Sequence, residues 1–172
     1  MDHAQIIDTV VEKAVQYEKD YHGCAQCVVG SIMDVFEIDA PAAFRATTGF
    51  SGGMGCTGRT CGALSGGIIS IGLIVGRDRD NMKDPKRLRW DNFGLVKELI
   101  ERYEASYGSL ECRKVQERVV GIGVDFWNPE QADKFRAADG HIKCAEGVVG
   151  HVARWTAEII LSYLDRASKE DN

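Results

Sequence analysis

Six cysteines are the residues of this 172-residue chain best suited to chemistry: Cys24, Cys27, Cys56, Cys61, Cys112 and Cys144. A thiolate is both a nucleophile toward disulfides and a ligand for metals. Helix N-termini favour it over the thiol through their free N–H groups and their dipole. Helical periodicity puts Cys24 near the start of one helix and Cys61 at the start of another, just after a glycine loop and Thr60. Cys112 opens a further helix after Gly108-Ser109, and Cys144 falls in the first turns of the last one. Cys24 and Cys27 are three apart and so share a helical face. Cys56 lies in the loop, five residues before Cys61. The competing reading is inert packing, because free cysteine is among the most buried residue types.

The Cys24/Cys27 pair alone admits several chemistries. A thioredoxin-like dithiol needs a βαβ setting, which the pattern lacks. A c-type haem site needs histidine after the second cysteine, where this chain has Val28. A structural zinc site needs a second pair, which Cys56 and Cys61 supply loosely. An iron–sulfur cluster needs four thiolates, and a fold can gather them from irregular spacings. The letters GxGxxG occur from Gly53 to Gly58. A dinucleotide fingerprint follows a strand, whereas here a helix precedes, so the glycines are read as backbone freedom that folds the loop around Cys56 and brings it near Cys61. His22 and His141 sit close to Cys24 and Cys144, as mixed ligands or as surface histidines. Arg59 and Arg113 flank Cys61 and Cys112, where they either lower a thiol pKa by charge or are simply solvated. No Ser–His–Asp arrangement and no paired-carboxylate motif stands out.

The elements that must position these thiols read as helices. Ile6, Ile7, Val10, Val11, Ala14 and Val15 make the first apolar stripe. A second helix from near Cys24 carries Val28, Val29, Ile32, Met33 and Phe36, and Pro41 opens a short third to about Thr48. Gly49 to Gly58 is a glycine-rich loop. Thr60 is expected to cap a helix that runs to about Gly76. On that helix Gly62, Gly66 and Ser70, and likewise Ala63 and Gly67, lie four apart. Such a stripe of small residues lets another helix approach closely, which would hold the Cys61 helix against the Cys24 helix. Arg77 to Asp84 reads as a solvated linker. Helices follow from Pro85 to Tyr107 (with Trp90, Phe93, Leu95 and Leu99), from Glu111 to Val120, and from about His141 to Ala167, with Gly121 to Pro129 as a turn region. The tryptophans Trp90, Trp127 and Trp155 are expected as core or interface anchors. The fold class is all-α, a single-domain bundle of about six to eight helices over residues 1–172.

Bulk properties narrow the function. The chain is 44% hydrophobic with a net charge of −5, and no basic stripe is present to meet phosphates, which argues against nucleic acid. Cys61 to Gly76 is uncharged but shorter than the roughly 20 residues of a membrane span, so it reads as a buried helix without membrane insertion. The first residues lack the features of a secretory signal. A cytoplasmic location is expected, where six thiols stay reduced and serve metals or catalysis.

At the thiols the sequence resembles the redox-active proteins of the C_GCAxxG_C_C type, found mainly in anaerobic bacteria and archaea. The matching stretches are Gly23-Cys24-Ala25-Gln26, the loop Gly49 to Gly58, Cys61-Gly62-Ala63-Leu64-Ser65-Gly66, Gly108-Ser109-Leu110-Glu111-Cys112-Arg113, and Cys144. The resemblance implies a helical fold and a family set of Cys24, Cys61, Cys112 and Cys144, with Cys27 and Cys56 as extras. It also implies kinship with a domain of split-Soret cytochromes associated with an iron–sulfur centre; no CxxCH is present to carry the haems over. The function expected is redox chemistry. In one form Cys24, Cys61, Cys112 and Cys144 hold an iron–sulfur cluster for electron transfer. In the other, thiols including Cys24, Cys27, Cys56 and Cys61 exchange with disulfides. The alternative is a structural zinc–thiolate protein without catalysis, or a helical module with inert thiols and no metal. The partner expected is a redox protein of unspecified kind, with a homodimer as a further option.

Overall fold

The computed structural model describes residues 1–170. Among them the chain forms nine α-helices and no strand, only an isolated antiparallel bridge between Thr60 and Glu111. Helix α1 spans His3–Tyr21. It starts with a capping box in which the Asp2 carboxylate accepts from the Gln5 N–H at 2.8 Å and the Gln5 side chain accepts from the Asp2 N–H at 3.1 Å. Its buried positions are Val10, Ala14 and Glu18, four apart, so a carboxylate occupies the apolar stripe. Helix α2 (Cys24–Val35) follows after His22 and Gly23, both at positive φ. Helix α3 (Pro41–Ala46) runs into a 3-10 turn at Thr47–Phe50.

Helix α4 (Gly62–Ile74) begins one residue later than expected, with Cys61 rather than Thr60 as its N-cap. It is apolar nearly all round, as suits a helix packed on several sides. The small residues are where it meets its neighbours. A Cβ on Gly66 would lie 2.6 Å from the Ala25 carbonyl oxygen, and one on Gly67 would lie 2.7 Å from Thr156 Oγ1. Backbone-to-backbone approach between α4 and α2 therefore requires glycine.

Helix α5 (Leu88–Tyr107) is started by Asp84, whose carboxylate accepts from the N–H groups of Leu88 and Arg89 at 2.8 and 3.1 Å. The charged linker thus caps a helix through a buried carboxylate as well as facing solvent. Helix α6 covers Cys112–Val120. Helix α7 (Pro129–Ala137) was not expected, although Asn128 as N-cap and Pro129 in the first turn are its signal. Helix α8 (Gly140–Cys144) passes through a π turn at Ala145–Val149 into α9 (Gly150–Glu170). What the sequence presents as one last helix is therefore interrupted just after Cys144.

The main core lies among α1, α2, α4, α5 and α9, with Val10, Ile32, Leu64, Ile71, Leu99, Tyr103, Val152 and Ile160 fully or almost fully buried. Trp90 and Phe93 are not in it; both are exposed and pack edge to face on each other. Trp127 is also exposed, and its indole N–H donates to the Gly55 carbonyl at 3.1 Å. Among the described residues no helix is long and apolar enough to cross a membrane.

Candidate thiol site

Cys24, Cys56, Cys61, Cys112 and Cys144 line one cavity of about 210 Å³, together with Ser51, Glu18, His22, His141 and apolar side chains such as Phe126 and Val148. All six cysteines are free thiols. The cavity collects residues from six stretches of the sequence, and its cysteines arrive by distinct local devices.

Cys61 and Cys112 meet through the isolated bridge. The Cys61 N–H donates to the Leu110 carbonyl at 2.9 Å and the Cys112 N–H to the Arg59 carbonyl at 2.5 Å. This pairing sets the start of α4 beside the start of α6. Cys24 opens α2, and the glycine face of α4 makes room for it: a Cβ on Gly62 would lie 2.6 Å from the Cys24 sulfur. The Gly52 N–H also donates to that sulfur. Gly52, Gly53, Met54, Gly55 and Cys56 all have positive φ, so the glycine loop is a short left-handed coil. Met54 and Cys56 take the left-handed region without glycine's freedom, at a cost of about 1–2 kcal/mol each. The coil packs on Cys112, since a Cβ on Gly53 would lie 2.7 Å from the Cys112 Cβ. Cys144 ends α8 immediately before the π turn, where the Tyr107 hydroxyl donates to the Gly147 carbonyl. Such turns often mark functional sites.

The thiols divide electrostatically. Hydrogen bonding from the Cys112 thiol lowers the Cys61 pKa most, and the Tyr103 hydroxyl and the N–H groups of Leu64 and Ala63 add to it, against burial. The same bond, with burial, pushes Cys112 far above the usual thiol range. The pair therefore shares one proton: the first leaves readily, with the charge resting on Cys61, and the second is held tightly. Burial, then the nearby Cys61 and Glu18 charges, raises Cys24. Burial followed by Cys61 raises Cys144 to about 12. Helix N-termini are expected to lower these thiols generally; of these four only Cys61 is lowered, and there the Cys112 thiol outweighs burial while the helix N–H groups add smaller contributions. A bare cavity thus favours a single thiolate, and several can coexist there only against a cation. Arg59 and Arg113 are exposed and are not among the groups that shift either neighbouring thiol.

The donor set fits a sulfur-ligated group. Its lining thiols are accompanied by two hydroxyls, of Ser51 and Tyr103, that are buried without a well-formed hydrogen bond; Tyr103 faces the Cys61 sulfur and Ser51 lines the cavity. A single tetrahedral ion with metal–sulfur bonds of ~2.3 Å would hold its sulfurs about 3.8 Å apart. Among the described residues, no three cysteine sulfurs lie within 4.8 Å of one another. The thiols as arranged therefore suit a wider group, or pairwise chemistry, better than one ion.

Cys27 is set apart. It does not line this cavity but a shallower groove with Tyr17, Tyr21, Gln26 and Phe44. Its single S–H is shared between two acceptors, Glu18 Oε2 at 3.3 Å and the His22 carbonyl at 3.2 Å. Glu18 and Tyr103 escaped the sequence reading. The signal for Glu18 was its place on the α1 stripe, eight residues after Val10 and four after Ala14.

Comparison with curated proteins and with solved structures found no match. A family model does match, over residues 22–159, a span that contains all six cysteines and the whole cavity apart from Glu18. It is described as "Putative redox-active protein (C_GCAxxG_C_C)", it covers most of the chain, and the protein belongs to that family.

Proposed function

We propose that this protein is an electron carrier whose thiols Cys24, Cys61, Cys112 and Cys144 hold an iron–sulfur cluster. The observation that carries the proposal is their convergence on one largely apolar cavity, from four elements far apart in sequence. When bound, such a cluster supplies one-electron chemistry. The chain supplies the rest. Cys61 gives the first thiolate, already favoured by its N–H and hydroxyl donors. Cys24, Cys112 and Cys144 lose their protons only as cationic iron arrives. Phe126, Val148 and Val149 keep water from the sulfurs. The N–H groups of Gly52, Ala63 and Leu64, directed at Cys24 and Cys61, stabilise negative charge on sulfur; such bonds are among the features that set a cluster's potential.

One contact favours a second reading, thiol–disulfide exchange by the hydrogen-bonded pair Cys61 and Cys112. The Cys61 thiolate would attack one sulfur of a partner's disulfide and expel the other as a thiolate. Cys112 would then give up its proton and attack the Cys61 sulfur. A Cys61–Cys112 disulfide would form as the second partner sulfur left, so the partner would gain the two electrons the pair lost.

Anaerobic purification separates the two. The first reading expects visible absorption with iron and acid-labile sulfide, both lost in Cys61→Ser and retained in Cys27→Ser. Colourless, metal-free protein that forms a Cys61–Cys112 disulfide would sink the cluster and leave the exchange reading. Equal loss of iron in Cys27→Ser would mean that the ligand set is wrong.

A further inference from the structure

Beside the thiols lies a second cluster of a different chemistry. Glu18, His22 and His141 each present a ligand atom within 4.8 Å of the other two. We propose that these three residues bind a divalent first-row transition metal, of the zinc or ferrous type, through nitrogen and oxygen alone. The inference does not rest on the cluster reading, because none of its ligands is a thiol.

Four observations support it. Glu18 is only 4% exposed, and an isolated buried carboxylate is costly unless a cation or hydrogen-bond donors compensate it. Its donors are insufficient: Oε2 accepts from the Cys27 thiol at 3.3 Å, whereas Oε1 faces His141 Nδ1 at 3.7 Å, too far for a hydrogen bond. That gap suits two ligands of one ion, since bonds of about 2.0–2.2 Å at a tetrahedral angle separate nitrogen and oxygen by about 3.4 Å.

The second observation is the His22 tautomer. Its Nδ1 lies 2.8 Å from the Glu18 carbonyl oxygen. A carbonyl only accepts, so Nδ1 carries the proton and the Nε2 lone pair is free. A histidine ligand typically has its other nitrogen anchored in this way. Third, His22 and His141 stack at 4.0 Å between ring centroids, and Phe135 meets the His141 ring edge-on at 5.1 Å. The stack keeps the two imidazoles adjacent with 26° between their planes, and the exposed His22 ring has only to turn out of the stack for both lone pairs to meet one ion. Fourth, His22 sits at φ 60, in the region disfavoured for residues other than glycine, and the chain accepts that strain where it aims the ring.

Two histidines and one carboxylate are a recurrent set for zinc and for non-haem ferrous iron, and they leave coordination positions open. The three residues line the same cavity as Cys24 and Cys144, and exposed His22 lies on the solvent side of the group. Within this arrangement Cys27 is a positioning residue. Its thiol fixes one carboxylate oxygen and leaves the other for the ion.

Cobalt(II), titrated anaerobically into reduced, metal-stripped protein, is the test. Wild type and Cys61→Ser should each bind one equivalent with d–d absorption of nitrogen and oxygen ligation and no thiolate-to-cobalt charge transfer at that step. Glu18→Gln and His141→Gln should weaken that step about 100-fold, with helical circular dichroism unchanged. His22→Gly gives a variant that spares the core, since the side chain is exposed and glycine takes φ 60 with ψ −175 without strain; it should weaken the same step at least tenfold. The proposal is overturned if the three variants bind cobalt as wild type does. It is equally overturned if the first equivalent shows thiolate charge transfer and disappears in Cys61→Ser. Absence of iron from the purified protein would count against the cluster reading and leave this result untouched.

Discussion

The Tyr103 hydroxyl, buried and facing the Cys61 sulfur, gives the thiol site a measurable pH signature. Cys61 titrates below the ordinary thiol range, so in reduced metal-free protein its thiolate persists to lower pH than that of Cys24, Cys112 or Cys144. Alkylation at neutral pH, mapped by mass spectrometry, should label Cys61 ahead of those three, and the rate should fall as pH drops through the depressed pKa. Tyr103→Phe removes the hydroxyl that faces the thiolate; short of a well-formed hydrogen bond, that contact contributes about 0.5–1.5 kcal/mol. The fall should then move up by about half to one pH unit. An unmoved profile would show that the hydroxyl does not serve the sulfur. The cysteines themselves were legible, because their residue type announces the chemistry. Tyr103 was not: a tyrosine on an apolar helical stripe reads as packing, and only the tertiary arrangement aims its hydroxyl at sulfur. The same holds for Glu18, whose odd position on the α1 stripe was visible but whose neighbours come from α2 and α8.

Among the elements, α4 decides whether the thiols meet. Its glycines were legible as a close-packing face, and Gly62 and Gly66 do bring α4 against Cys24 and Ala25 of α2. Gly66→Ala would place its Cβ 2.6 Å from a backbone oxygen, which cannot swing aside. It should destabilise the fold by about 1–3 kcal/mol, read as a lower denaturant midpoint. Gly94→Ala on α5 is the control, with nothing within 4 Å of the added methyl, and should stabilise by about 0.5–1 kcal/mol. If both variants behaved alike, helix propensity rather than close approach would explain the stripe. The Thr60–Glu111 bridge and the π turn after Cys144 were beyond the sequence. Neither is a local preference: one pairs residues 51 apart in sequence, and the other holds the Gly147 carbonyl that accepts from the Tyr107 hydroxyl of α5.

Across the whole molecule the helices are not equally anchored. Helices α1, α2, α4, α5 and α9 share the main core, which α6 enters through Cys112 and Val115, whereas α7 contributes nothing to it and packs on α8. The thiol cavity sits where α2, α6, α8 and the start of α4 converge, each contributing one of Cys24, Cys112, Cys144 and Cys61. A group bound by all four would fasten these elements together, and its binding energy would appear as stability of the least anchored ones. Removing it should leave the helices of the main core formed, because their contacts do not depend on it. Opening should begin where fewer buried contacts hold the chain. In hydrogen exchange by mass spectrometry, stripping the metal under reducing conditions should speed exchange at residues 112–137 well before α2, α4 or α9 changes. The thermal midpoint should fall by roughly 2–4 °C for each kcal/mol of lost binding energy. Uniform acceleration along the chain would mean that the bundle unfolds as one unit. No acceleration at all would mean that the four thiols hold nothing that ties these elements together, and the electron-carrier reading would fail with it.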